Sequence, residues 1–227
     1  MKKLTLAYSP FNAPGPAPIF PFDAVYEEKF NAVEKGSLEG ADALLLWGGT
    51  DIHPTFYNQP YHSTTERSGS GDQPSLRDMT EWHLMHEAKK LNIPIIGVCR
   101  GAQFLCVFAG GSLIQDVKGH YHAHTIKTKG GLSMHASANH HQMMNPAPGT
   151  YELLAWSEFV GTGHADGFHP KPVESELLSK GFDPEILWFP DVKGLAIQPH
   201  PEWMPVGAQF VKHVVELVRE FCIPKTV

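Results

Sequence analysis

The order of apolar and polar positions divides the chain into short strands and a few amphipathic helices. Residues 4–9 form an apolar-rich run ended by a turn and predict a first strand. Residues 10–23 carry five prolines and a glycine, which exclude a central strand or a helix interior and predict an extended loop, a candidate cover for a site. In residues 24–38 the spacing of Val25, Phe30 and Val33 predicts a modest helix. Residues 41–47 read as a buried strand that runs into the flexible turn Gly48-Gly49. Residues 51–72 are polar and turn-rich and predict a surface excursion. Ser75 with Asp78 three residues later is an N-cap pair, opening a helix to about Leu91 with Met79, Trp82 and Met85 as its packing residues. Pro94 precedes a short strand at residues 95–98, and residues 100–109 form a helix closed by Gly110-Gly111. Residues 119–170 are rich in His, Gly and Pro and predict loops with short strands. Further strands are expected at 186–189 and 194–198. A terminal helix follows, with Val206, Phe210, Val214, Leu217, Val218 and Phe221 on one face. Strands alternating with helices predict an α/β domain with a mainly parallel sheet, and no repeat or boundary divides residues 1–227.

Composition narrows the class. With 227 residues, 42% of them hydrophobic and 19% charged, the chain can bury a sizeable core and is not a disordered segment. Lys+Arg 18 against Asp+Glu 24 gives a net charge of −6, the wrong sign for a general binder of nucleic acid or anionic membrane. No apolar run approaches the roughly 20 residues of a membrane span. The apolar stretch after Met1-Lys2-Lys3 is too short for a signal-peptide core. Three cysteines, Cys99, Cys106 and Cys222, cannot all pair, so a cytoplasmic protein without a disulfide framework is expected.

The chemistry concentrates at Ile95-Ile96-Gly97-Val98-Cys99-Arg100-Gly101, a strand, then Gly-x-Cys-x-Gly, then a helix. A nucleophile at such a turn sits on strained backbone, and the small residues two positions either side permit the tight fold. The helix N-terminus favours a thiolate and supplies a donor for an oxyanion. A buried structural cysteine is the competing reading, and it is the expected one for Cys106 and Cys222. A thiolate nucleophile needs a base, and the base an orienting group. The strand at 194–198 ends in Pro199-His200-Pro201-Glu202, where extended geometry would turn His200 and Glu202 to one side. Both candidate segments follow predicted strands, so they converge at the carboxyl edge of a parallel sheet.

Gly97-Val98-Cys99-Arg100-Gly101-Ala102-Gln103 and Gln198-Pro199-His200-Pro201-Glu202 resemble the two signature segments of class I glutamine amidotransferase domains. Leu46-Trp47-Gly48-Gly49-Thr50-Asp51-Ile52-His53-Pro54 with Tyr57 is similar to a segment of the γ-glutamyl-γ-aminobutyrate hydrolase (peptidase C26) branch. Arg77-Asp78 with Glu81, residues 110–116, Asn139-His140-His141-Gln142 and Asp166-Gly167 extend the likeness across roughly residues 40–203. The resemblance implies a three-layer αβα sandwich of the flavodoxin-like kind, with a nucleophile elbow. It implies a triad of Cys99 as nucleophile, His200 as base and acid, and Glu202 as orienter. It places the oxyanion hole at the backbone N–H groups of Gly49 and Arg100, and substrate contacts at Gln103, His140 and His141. Trp47 and Pro199 depart from the usual pattern of the branch, and residues 10–23 and 119–135 match nothing in it.

Fourteen histidines raise the question of a metal. His120-x-His122-x-His124 would align three imidazoles on one strand face, as in a zinc or nickel cluster. The triad needs no metal and the cysteine patterns of structural zinc are absent, so a solvated or substrate-loop role is expected, with no metal or cofactor. His83 and His86 do not make a His-Glu-x-x-His helix and are expected at the surface. Gly48-Gly49 and Gly110-Gly111 lack a phosphate-loop pattern.

Three functions follow from these expectations. One is a free-standing cysteine hydrolase that cleaves γ-glutamyl amides through a γ-glutamyl thioester. Another is a glutaminase subunit passing ammonia to a separate synthetase or ligase. The last is a catalytically silent binding protein on the same fold, against which the intact Cys99, His200 and Glu202 count. The small-molecule partner is a γ-glutamyl amide or glutamine; the amine half and the oligomeric state stay open.

Overall fold

The structure is a computed structural model and describes residues 3–66, 73–157 and 175–223. The Asp166-Gly167 pair lies outside the described residues. In chain order the elements are β1 (Thr5–Tyr8), β2 (Glu28–Asn31), α1 (Ala32–Lys35), β3 (Ala43–Leu46), α2 (Leu76–Leu91), β4 (Ile95–Val98) and α3 (Arg100–Phe108). They continue with β5 (Ser112–Ile114), β6 (His124–Thr128), β7 (Ser133–Ala136), β8 (Met143–Asn145), β9 (Glu152–Ser157), α4 (Glu176–Ser179), β10 (Asp183–Phe189), β11 (Gly194–Ile197) and α5 (Gln209–Phe221).

Nine strands form one sheet in the order β2-β1-β3-β4-β11-β10-β9-β6-β7, and β5 pairs separately with β8. From β2 to β11 every pairing is parallel, in a flavodoxin-like 2-1-3-4-5 order. From β11 to β7 every pairing is antiparallel. Most strands therefore point one way, and of the short strands expected in residues 119–170, β6, β7 and β9 extend the main sheet while β8 pairs with β5.

The sheet separates two apolar layers. Leu45, Trp47, Ile96, Val98 and Ile197 face α5 through Phe210, Val214 and Val218. Leu44, Leu46, Ile95 and Ala196 face the other way, against Leu84, Met85 and Ala88 of α2 and Leu105 of α3. Strands buried on both faces show continuous apolar runs rather than alternation, and β3, β4 and β11 have that pattern. The αβα sandwich is thus present as expected.

Helix α2 begins where the sequence placed it. Ser75 Oγ accepts the Asp78 N–H at 3.1 Å and Asp78 Oδ2 accepts the Ser75 N–H at 2.9 Å, a complete capping box worth about 1 kcal/mol.

Several expectations need correction. The helix expected at residues 24–38 is instead β2, paired in parallel with β1, followed by the single turn α1. The free edge of β1 recruits this segment, and Asn31 caps only four helical residues before Gly36 turns left-handed. The segment from residue 51 is not a plain surface excursion, because Asp51, Ile52, Tyr57 and His62 are buried. Met79 is exposed on α2, and Val206 precedes α5 and is exposed, so neither packs as expected. His83 and His86 are exposed as expected. Cys106 and Cys222 are buried core residues, and burial pushes both thiols up. No helix among the described residues is long and apolar enough to cross a membrane.

Candidate active site

The turn from β4 to α3 holds Cys99 at φ 50° and ψ −107°, a left-handed backbone that a non-glycine residue adopts only under constraint. The Cys99 N–H donates to the Ile197 carbonyl at 2.8 Å, which ties the elbow to β11. Both flanking glycines are required by space. A Cβ on Gly97 would lie 2.4 Å from the Gly101 carbonyl oxygen, and one on Gly101 would lie 2.3 Å from that of Leu46.

His200 follows β11 and reaches the same edge. Its Nδ1 lies 2.7 Å from Glu202 Oε1. The two residues meet across a tight 3₁₀ turn at Pro201–Trp203, not along an extended strand as the sequence implied. Trp203 stacks flat on the imidazole, with centroids 3.6 Å apart and planes 2° from parallel. That contact restricts rotation of the ring, and sequence reasoning missed it because an isolated Trp carries no positional signal.

Burial disfavours the imidazolium, but hydrogen bonding and charge from Cys99 and Glu202 outweigh it and push His200 up from 6.5 to about 10. The folded value lies above the unfolded one. The imidazolium therefore stabilises the fold fully below about pH 6.5, and this contribution is lost as pH rises through about 10. The melting temperature of the wild type is expected to fall more steeply between those limits than that of Glu202→Gln. Parallel profiles from a pH series of melts would remove Glu202 from this role.

Gly48-Gly49 faces the elbow from the end of β3. A Cβ on Gly48 would meet His200 Cε1 at 3.0 Å and Cys99 Cβ at 3.4 Å. The Gly48 carbonyl accepts from Arg77 Nη2 at 2.9 Å and Asn12 Nδ2 at 3.3 Å. In a trans peptide the next N–H opposes that carbonyl, so these donors turn the Gly49 N–H away from themselves. Gly49 itself sits at φ 142°, and a Cβ there would collide with Arg77 and Asn12 at 2.3 Å. Arg77 matched a family segment in the sequence without a role, and Asn12 gave no signal at all.

Arg100, the residue after the nucleophile, buries its guanidinium between Asp78 and Glu81. Glu81 also holds Arg77 Nε at 3.1 Å and accepts from Ser9 Oγ at 2.8 Å. This network joins α2 to both the elbow and the Gly48-Gly49 turn.

A cavity of about 440 Å³ opens at this edge, lined among others by Asn12, Gly49, Cys99, Gln103, Glu202 and Trp203. The proline-rich loop, the segment from residue 51 to residue 66 and the segment before β6 all reach it, through Pro14, through Asp51 and Glu66, and through Tyr121. Trp47, a departure from the family pattern, donates its Nε1–H to the Pro18 carbonyl at 2.9 Å and anchors the proline-rich loop beside the site.

The remaining candidates also line this cavity. Gln103 Nε2 donates to the Gln142 carbonyl at 2.8 Å. His141 pairs with Asp51 at 3.0 Å; burial opposes its charge, but Asp51 outweighs burial and raises the pKa. His140 is buried, and burial holds it well below the usual imidazole range, with its Nδ1 2.9 Å from the Gln142 carbonyl. Cys99, His200, Glu202, Gly49, Gln103, His140 and His141 therefore share one cavity. The side chain of Arg100 is turned into the ion-pair network beneath it.

The fold is that of class I glutamine amidotransferases. A candidate component of a GMP synthase from Thermoplasma acidophilum superposes with a TM-score of 0.61 at 16% identity, over 98% of this chain and 95% of that one. Residues 24–173 match the Peptidase C26 family, and the chain belongs to it. Protein NtpR of Enterococcus hirae is 32% identical over 171 residues, which are 73% of this chain and 68% of that protein. A candidate glutamine amidotransferase of Schizosaccharomyces pombe is 36% identical over 103 residues, and the match spans 40% of this chain and only 39% of that protein. Membership of this family supports an enzyme of the cysteine hydrolase or amidotransferase kind.

Proposed function

We propose that the chain hydrolyses γ-glutamyl amides by covalent catalysis at Cys99. The observation that carries this reading is the convergence of the strained cysteine elbow with the His200–Glu202 pair, 2.7 Å apart, at one cavity. In this reading the Cys99 thiolate attacks the amide carbonyl while the Gly49 and Arg100 N–H groups receive the developing oxyanion. The His200 imidazolium then gives its proton to the departing amine, leaving a γ-glutamyl thioester. Neutral His200 next takes a proton from water, whose oxygen displaces the thiolate and releases glutamate.

The charges around the cavity support a glutamyl end. His141, whose charged form the pairing with Asp51 favours, suits an α-carboxylate, with Gln103 and His140 on the same wall, and Asp51 and Glu66 suit an α-ammonium. The amine half would lie against the loops carrying Pro14 and Tyr121.

The purified chain alone is expected to release glutamate from a substituted γ-glutamyl amide faster than from glutamine. The second reading keeps the chemistry but has the chain supply ammonia to a separate synthetase, and the synthase membership named for the Thermoplasma neighbour favours it. Silence of the isolated chain on a panel of γ-glutamyl amines, followed by glutaminase activity on adding a synthetase, would support that reading. Silence throughout, with no Cys99 labelling by a glutamine-like electrophile, would leave only a binding role.

A further inference from the structure

Behind the His140 wall of the cavity lies a second group of ionisable side chains that the hydrolytic chemistry does not use. His120, Asp183 and Glu185 are 0% exposed and His140 is 5% exposed. They come from three separate segments: the loop after β5, the loop before β8, and β10. One ligand atom each from His120, His140 and Glu185 lies within 4.8 Å of the other two.

The hydrogen bonds decide which atoms are free. His120 Nε2 is 3.0 Å from Asp183 Oδ2, His140 Nδ1 is 2.9 Å from the Gln142 carbonyl, and Glu185 Oε1 is 2.7 Å from His124 Nε2. A carbonyl oxygen only accepts, so His140 Nδ1 carries the hydrogen and Nε2 keeps a lone pair. The same reasoning at Asp183 leaves the lone pair of His120 on Nδ1. His120 Nδ1, His140 Nε2 and Glu185 Oε2 are all buried without a hydrogen-bond partner. Three unpartnered buried acceptors in one cluster, each on a group fixed through its other atom by a carboxylate, a carbonyl or an imidazole, have the outer contacts of metal ligands.

We propose that His120, His140 and Glu185 form a structural site for a divalent transition metal, with Asp183, the Gln142 carbonyl and His124 orienting the ligands. Two imidazoles and one carboxylate suit zinc, whose ligand atoms stand about 3.4 Å apart at tetrahedral bond lengths. His120 Nδ1 already lies 3.5 Å from the Glu185 carboxylate, measured to the Oε1 that His124 holds, which leaves Oε2 as the ligand atom. The divalent charge offsets the two buried carboxylates, and water completes the coordination. The site ties β10 to the loop after β5 and to the loop before β8 that carries His140 and His141, and so stiffens one wall of the cavity. It also revises the sequence expectation of a solvated, metal-free segment: His120 is buried, His122 is exposed and outside the group, and His140 takes its place.

The test uses tag-free Cys99→Ala protein, so that no catalytic thiolate can hold the ion. The protein is stripped with a chelator, loaded with zinc or cobalt(II), and passed through a desalting column. The expected result is one retained equivalent by elemental analysis and a melting temperature several degrees higher. Cobalt(II) should give the visible bands of a four-coordinate nitrogen and oxygen site. Glu185→Gln, nearly isosteric, and His120→Ala should each lose the retained metal, whereas His122→Ala should keep it. Absence of retained metal in the Cys99→Ala protein would overturn the site in favour of an imidazolium at His120 shared by Asp183 and Glu185. Retention at full stoichiometry by Glu185→Gln would overturn it equally. Neither readout depends on turnover, so the site and the proposed hydrolysis fail independently.

Discussion

Cys99→Ala is expected to lower glutamate release by at least about 10⁴-fold while leaving the melting temperature within a few degrees of the wild type. Removing the nucleophile of a covalent hydrolase removes the intermediate, and the loss is of the order seen when a triad acting as a unit is broken. The fold should survive because the substitution deletes a single sulfur, from a buried residue that also lines the cavity. Alanine still occupies the strained φ of 50°, so the backbone cost is unchanged. Steady-state release from a γ-glutamyl amine, read beside a thermal melt, makes the check. Activity within tenfold of the wild type in folded Cys99→Ala protein would sink the thioester mechanism and, with it, the proposed function.

The second large effect is on stability. Arg100→Leu is expected to cost roughly 3–5 kcal/mol, because it leaves the buried Asp78 carboxylate without its ion pair and Glu81 with Arg77 as its one remaining cation. For a domain of this size that corresponds to a fall of about 10 °C in melting temperature. Arg77→Met makes the informative contrast. Glu81 would keep Arg100 as a partner, so the stability loss should be smaller. Its carbonyl contacts to Trp47 and Gly48 would be gone, however, and with them the main restraint on the Gly49 N–H. A fall in kcat of about 10² with little change in KM is expected, the size of one misplaced oxyanion donor. An unchanged melting temperature in Arg100→Leu would mean that the network is solvated in solution. An unchanged kcat in Arg77→Met would remove Arg77 as a positioning residue.

The elements that were legible along the chain are those whose causes are local. The capping box of Ser75 and Asp78 needs only a spacing of three, and both of its hydrogen bonds are present. The elbow needs Gly97 and Gly101 because the steric conflict lies within a few residues and with one neighbouring strand. Residues 24–38 misled for the opposite reason. A weak apolar spacing was overridden by the free hydrogen-bonding edge of β1, a partner some twenty residues away.

By itself the sequence determined the strained cysteine, the order of strand and helix around it, and the pairing of His200 with Glu202, since each rests on short-range geometry or on motif order. Only the tertiary structure decided what surrounds them. Asn12 and Arg77 meet on the Gly48 carbonyl from opposite sides in sequence, and Trp203 lies flat on His200 through a turn whose shape no periodicity encodes. His120, His140 and Glu185 are brought together from three segments, and His122, closer in sequence, is left outside. The physical reason is that hydrogen-bond and ligand geometry act over about 3 Å in space whatever the separation along the chain, so long-range partners leave no local pattern to read.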